Sequence, residues 1–128
     1  MRKLFITFLV LLAAGLFLGA CQPQDAAAHA VEAYYQALVA KDAARVTSLV
    51  CADWESNAQM EVDSFQSVEA SLKDLSCHTT GQEGEYTLVS CTGKIIMSYN
   101  GEGQEIDLSA ATYQVVHRGN DWLFCGYR

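Results

Sequence analysis

The chain has 128 residues, 51% of them hydrophobic, with 8 basic against 15 acidic side chains and a formal charge of −7. That length supports one domain with a single core. Beyond residue 3 the basic side chains are Lys41, Arg45, Lys73, Lys94, Arg118 and Arg128. They are too scattered to neutralise a run of phosphates, which excludes nucleic acid as a partner.

The N-terminal segment carries an address. Met1-Arg2-Lys3 is basic, Leu4 to Leu18 run without a charge, and Leu18-Gly19-Ala20-Cys21 follows. Basic, apolar and small residues in that order read as a secretory signal peptide over residues 1–20. The apolar run falls short of the roughly 20 residues that span a bilayer. The Leu-Gly-Ala-Cys ending resembles the bacterial lipobox. The resemblance implies a diacylglyceryl group on the Cys21 thiol, cleavage just before it, and a protein lipid-anchored on the extracytoplasmic face of the bacterial cell membrane. Each buried CH₂ contributes about 0.8 kcal/mol, so two or more acyl chains anchor stably. Processing removes Arg2 and Lys3 and deepens the formal charge from −7 to −9. An acidic domain gains nothing from an anionic surface, so the membrane contact runs through the lipid.

Residues 21–28 contain the only proline, Pro23, and read as a tether no longer than roughly 25 Å. The domain is expected over 29–128. Val31, Tyr34, Tyr35 and Leu38 recur at i, i+3, i+4 and i+7, which predicts a helix with one buried stripe. Asp25 is its expected N-cap. Asp42 caps a second, short helix with Val46, Leu49 and Val50 on the inner side. A third runs from Trp54 to about Phe65, with Ala58, Val62 and Phe65 aligned.

The period then changes. Val68, Ala70 and Leu72 alternate with Glu69, Ser71 and Lys73, and the alternation resumes one residue late at Leu75 and Cys77. That slip predicts a β-bulge near Lys73-Asp74 and a bent strand. Gly81-Gln82-Glu83-Gly84 reads as a hairpin turn, and Asn100-Gly101-Glu102-Gly103 as a second. They frame strands over 85–99 and 105–118, and a last strand covers 122–127. The fold class is α+β, three helices followed by a bent four-stranded antiparallel sheet.

Cys51, Cys77, Cys91 and Cys125 are an even set in a small exported domain, which predicts two disulfides. Three pairings are open. The symmetrical placement of Cys77 and Cys91 about Gly84 favours Cys77–Cys91 with Cys51–Cys125. Zinc ligands arrive as close Cys-x-x-Cys pairs, and these four are far apart, so no metal is expected.

The helix Ala30-Val31-Glu32-Ala33-Tyr34-Tyr35-Gln36-Ala37-Leu38, followed by Lys41-Asp42, resembles the opening of nuclear-transport-factor-2-like (cystatin-like) domains. So does the closing strand Trp122-Leu123-Phe124-Cys125-Gly126-Tyr127. The resemblance covers about residues 28–128 and rests more on element order than on any one motif. It implies a sheet curled around helices into a cone with an apolar pocket.

Within such a pocket the expected lining is Tyr34, Tyr35, Trp54, Phe65, Tyr113 and Trp122, with Tyr99 and Phe124 as further aromatics. The superfamily also holds ketosteroid isomerase and related dehydratases, which use a carboxylate base and a pocket acid. No base is found here: Glu69, Glu105 and Asp107 fall on outward strand positions, and Asp53 and Asp63 lie off the buried helix stripes. No catalytic residue is therefore assigned. His29 reads as solvated, His78 as facing the opposite side of the sheet from Cys77, and His117 as a structural histidine facing the sheet interior. The glycines belong to turns and form no phosphate loop, so no cofactor is implied. The expected function is a non-catalytic accessory lipoprotein that binds a small apolar ligand or a protein partner. A small isomerase or dehydratase is one alternative. A structural module that pairs with another envelope protein, or with itself as a homodimer, is the other.

Overall fold

A computed structural model describes residues 25–128; the signal-peptide and Cys21 expectations lie outside the described residues. Among the described residues three helices come first: α1 over Ala26–Val39, α2 over Ala43–Ser48 and α3 over Glu55–Phe65, the last preceded by a 3-10 turn at Ala52–Trp54. Five strands follow: β1 Glu69–Glu83, β2 Tyr86–Tyr99, β3 Glu102–Asp107, β4 Tyr113–Arg118 and β5 Asp121–Tyr127.

Helix α1 begins earlier than its apolar stripe suggests, and Ala27 and Ala28 are already buried. Asp25 stands at the N-cap position as expected, its carbonyl accepting from the His29 N–H at 3.0 Å, but its side chain makes no capping bond. That residue is left-handed (φ 67°), and its carboxylate accepts instead from the Thr79 backbone N–H of β1 at 3.0 Å. Glu32, two turns on, accepts from the Cys77 N–H at 2.9 Å. Two carboxylates thus satisfy outward N–H groups of an edge strand that would otherwise invite pairing. Helix α2 is capped as expected, with the Asp42 carboxylate accepting from the Arg45 N–H at 3.0 Å.

The sheet is antiparallel and open. Strand β1 pairs with β2 along its whole length. The other edge of β2 is shared, residues 86–89 pairing with β4 and residues 94–99 with β3. Strand β5 lies beyond β4, and its outer edge is covered where Leu49 and Cys51 exchange backbone hydrogen bonds with Phe124. The register slips between Lys73 and Ser76, where the alternation predicts the bulge, and again between Thr79 and Gly81. The hairpin turns at Gly84-Glu85, so β1 runs through the Gly81-Gln82-Glu83 stretch expected to be turn.

The segment 105–118 is not one strand but two. The Asp107 carboxylate accepts from the Ser109 N–H at 2.9 Å and the Ser109 hydroxyl at 2.7 Å. Those bonds stabilise a 3-10 turn over Leu108–Ala110, which ends β3 and redirects the chain into β4. The sheet accordingly has five strands.

Helix α1 packs across β1, β2, β4 and β5, burying Val31, Tyr34, Tyr35 and Leu38. The Tyr34 ring stacks on Phe124 at 4.0 Å between centroids. Helix α3 adds Ala58, Val62 and Phe65 to the same core. The disulfides are Cys51–Cys125 and Cys77–Cys91, with Cα separations of 5.3 and 4.0 Å. Cys77 sends its N–H away from β2, so it faces Cys91 in a non-hydrogen-bonded pair, where opposed strands approach most closely. The bonds span 74 and 14 residues of sequence, loops worth about 4 and about 3 kcal/mol of lost unfolded-chain entropy.

Candidate functional site

Between α1, α3 and the sheet lies a cavity of about 280 Å³. Leu38, Phe65, Ile95 and Leu108 form its apolar walls, and Tyr35 and Tyr113 stand edge to face at 5.6 Å beside them. Ile106 and Tyr127 are 42% and 44% exposed and mark the mouth. Larger depressions, of about 320 and 420 Å³, flank the β2–β3 hairpin, but exposed Tyr99, Glu102, Gln104 and Asn100 line them. The inner cavity has the apolar wall and the few convergent polar groups of a ligand site.

The polar centre is Glu61. Tyr34 donates its phenol hydrogen to Glu61 Oε2 at 2.5 Å, and Tyr127 donates to Oε1 at 2.9 Å. One carboxylate on α3 is thereby held from α1 and from the end of β5. Tyr113 donates to the Leu108 carbonyl at 2.7 Å, which ties β4 to the 3-10 turn. Asp107 borders the cavity from the other side.

Burial dominates the phenols. It pushes Tyr34 and Tyr35 far above the ordinary tyrosine value, helped in Tyr34 by the bond to Glu61 and in Tyr35 by neighbouring Tyr113. Burial and then Glu61 push Tyr127 up to about 12. Tyr113 is raised by burial, with the Tyr35 hydroxyl acting in the opposite direction. At neutral pH all four are protonated donors. The Ser109 bonds hold Asp107 below the usual carboxylate range.

Trp54 braces the clamp from outside the cavity. It packs edge to face on Phe124 at 6.2 Å and on Tyr127 at 5.5 Å. Its ring lies flat over Gly126, where an added Cβ would come within 2.7 Å of it. The indole N–H is buried without a hydrogen-bond partner.

Of the six aromatics expected to line a pocket, Tyr35, Phe65 and Tyr113 do so. Tyr34 sits in the core with only its hydroxyl reaching Glu61. Trp122 packs partly buried against the core but does not line the cavity: its ring stacks on His117 at 4.4 Å, and that histidine, expected to face the interior, is exposed at the end of β4. His29 and His78 are exposed, as are Asp53, Asp63, Glu69 and Glu105. Glu61 and Tyr127 were not anticipated. A signal for Glu61 exists, because Ala58, Glu61, Val62 and Phe65 stand at i, i+3, i+4 and i+7, which puts a carboxylate on the buried stripe of α3. Among the described residues no cluster of His, Cys, Asp and Glu is arranged to hold a metal. No helix among them is long and apolar enough to cross a membrane.

No protein family and no curated protein matches the chain. Among solved structures, it is similar to the solution structure of a SEC-C motif containing protein from Rhodopseudomonas palustris. That pair shares 14% identity and a TM-score of 0.53, over 80% of this chain and 79% of the other. At that identity the likeness concerns the fold alone.

Proposed function

We propose that the chain is a lipid-anchored extracytoplasmic binding module, built on a nuclear-transport-factor-2-like cone, that holds a small apolar ligand in the cavity between α1, α3 and the sheet. The observation that carries this reading is the cavity itself, apolar-walled and about 280 Å³ in volume, with a single clamped carboxylate at its polar end. Three helices before a bulged sheet whose last strand bears Trp122 support the cone. Two disulfides suit an oxidising compartment and so support export. Anchoring rests on the Leu18-Gly19-Ala20-Cys21 motif.

Glu61 favours a second reading, a small isomerase or dehydratase, because a carboxylate beside phenols in an apolar pocket is base-and-acid equipment. The hydrogen bonds count against it. Tyr34 and Tyr127 both give their protons to Glu61, so neither is directed at a site where a substrate oxygen would gain charge. Binding is the better-supported activity.

Native mass spectrometry of the exported, processed protein tests the ligand. A discrete extra mass that leaves on denaturation, and is lost when Ala111→Phe fills the cavity, is the expected result. A bare protein mass, or an adduct indifferent to Ala111→Phe, refutes the cavity reading, and a dimer mass would direct attention to self-association. Cys21→Ser should abolish lipid labelling and membrane retention; normal retention in that variant contradicts the anchor.

A further inference from the structure

We infer that the cavity selects a cationic ligand, a compact apolar molecule bearing one protonated amine. This rests on the cavity being a ligand site, and it adds the charge and size of the occupant. The first support is the side-chain inventory. Two carboxylates, Glu61 and Asp107, line the space, and among the described residues no lysine, arginine or histidine does.

The second support is a count of hydrogens. The phenol protons of Tyr34 and Tyr127 are committed to Glu61, and that of Tyr113 to the Leu108 carbonyl. The Tyr35 ring meets Tyr113 edge to face at 5.6 Å, and its hydroxyl is the one lining phenol not tied in this way. The side chains therefore offer a ligand more acceptors than free donors. A carboxylate or phosphate ligand would be buried next to like charge without a partner, at a cost that excludes it. An ammonium supplies three donors and no acceptor, the complement of this lining.

Each Glu61 oxygen takes one phenol hydrogen and retains a second acceptor position. Phenol donors hold that carboxylate in place, so a bound amine meets a charge that needs no reorientation. The exposed Tyr127 ring at the mouth and the Tyr35–Tyr113 pair make the rest of the lining near Glu61 aromatic, surroundings that suit a cation. The formal charge of −7 on the whole chain adds a field of the same sign.

Volume sets the size. At about 30 Å³ of liquid volume for each water-sized atom, a cavity of about 280 Å³ admits on the order of ten non-hydrogen atoms. That is one ring with a short aminoalkyl arm, or a short alkylamine.

Three probes of matched shape test the inference: 2-phenylethylamine, neutral 2-phenylethanol and anionic 3-phenylpropanoate. Each is titrated at pH 7 into the full processed protein in neutral detergent, with Glu61→Gln run in parallel so that partition into micelles cancels. The expected order of affinity is amine, alcohol, then acid. The amine should lead the alcohol by about tenfold or more, and Glu61→Gln should erase that lead. Equal binding of amine and alcohol would overturn the charge preference yet keep the cavity as a site. Binding of none of the three would remove the site itself. Tightest binding of the acid would invert the inference. The ranking on the unaltered protein stands even if Glu61→Gln fails to fold.

Discussion

At the scale of single residues, Glu61 decides how the cavity can act. Its two phenol partners differ in surroundings, since Tyr34 is fully buried and Tyr127 is 44% exposed. Removing a hydroxyl that bonds a charged acceptor costs about 1.5–3 kcal/mol in a buried setting and far less where water can replace it. Tyr34→Phe should therefore lower unfolding free energy by about 2 kcal/mol, and Tyr127→Phe by less than about 1 kcal/mol, in denaturant titrations. Equal costs would mean that the two bonds are not anchored as the structure places them. The sequence makes the aromatic members of the site visible, because Tyr35 and Phe65 sit on helix stripes and Tyr113 on a strand alternation. It hides Glu61, because an acidic residue inside an apolar stripe reads as a solvated helix position until the phenols that hold it are brought together by the fold.

At the scale of elements, the register slip between β1 and β2 shapes the sheet. Asp74 takes a left-handed φ of 55° at the bulge, and Gly93 faces it on β2 with φ +100°. A Cβ on Gly93 would stand 2.6 Å from the carbonyl oxygens of Lys73 and Asp74, both of them backbone atoms with little freedom to yield. Gly93→Ala should thus cost about 3 kcal/mol or more, combining a positive-φ penalty with a steric clash. A change below about 1 kcal/mol in thermal or denaturant unfolding would show that the bend is not locked there. The bulge on β1 is legible because the hydrophobic alternation itself slips by one residue. Its glycine partner is not, since nothing local to β2 says which residue of β1 will oppose it. The division of β3 from β4 is half legible: Asp107-Leu108-Ser109 has the chemistry of a side-chain-capped turn, but the alternating residues on either side conceal it within one long strand.

At the scale of the whole molecule, a small acidic domain is held by one core, two disulfides and a buried aromatic cluster. That cluster makes the fold sensitive to alkali. Tyr34 and Tyr35 are raised far above the ordinary value, and Tyr127 to about 12, so the unfolded chain releases these protons first, near pH 10. Their contribution is complete below about pH 10 and is lost as the pH climbs toward the folded values. Denaturant midpoints at pH 8, 10 and 11.5 should be level across the first interval and fall across the second. A midpoint that holds at pH 11.5 would contradict the burial of these phenols. The helices-then-sheet order is legible in the sequence at this scale, and turn placement favours Cys77–Cys91 among the three open pairings, because periodicity and turns are local signals. Which faces close on an empty space is a property of the assembled curvature, and no stretch of sequence carries it.

The central claim is that the cavity beneath α1 receives a ligand. The most direct measurement is a methyl-resolved NMR titration of the processed protein with 2-phenylethylamine, 2-phenylethanol and 3-phenylpropanoate in turn. Saturable shifts confined to Leu38, Ile95, Ile106 and Leu108, with Leu72, Leu75 and Leu88 unmoved, are the predicted result. Shifts centred on Met97 and Val68 beside the β2–β3 hairpin, or none that saturate, would contradict it.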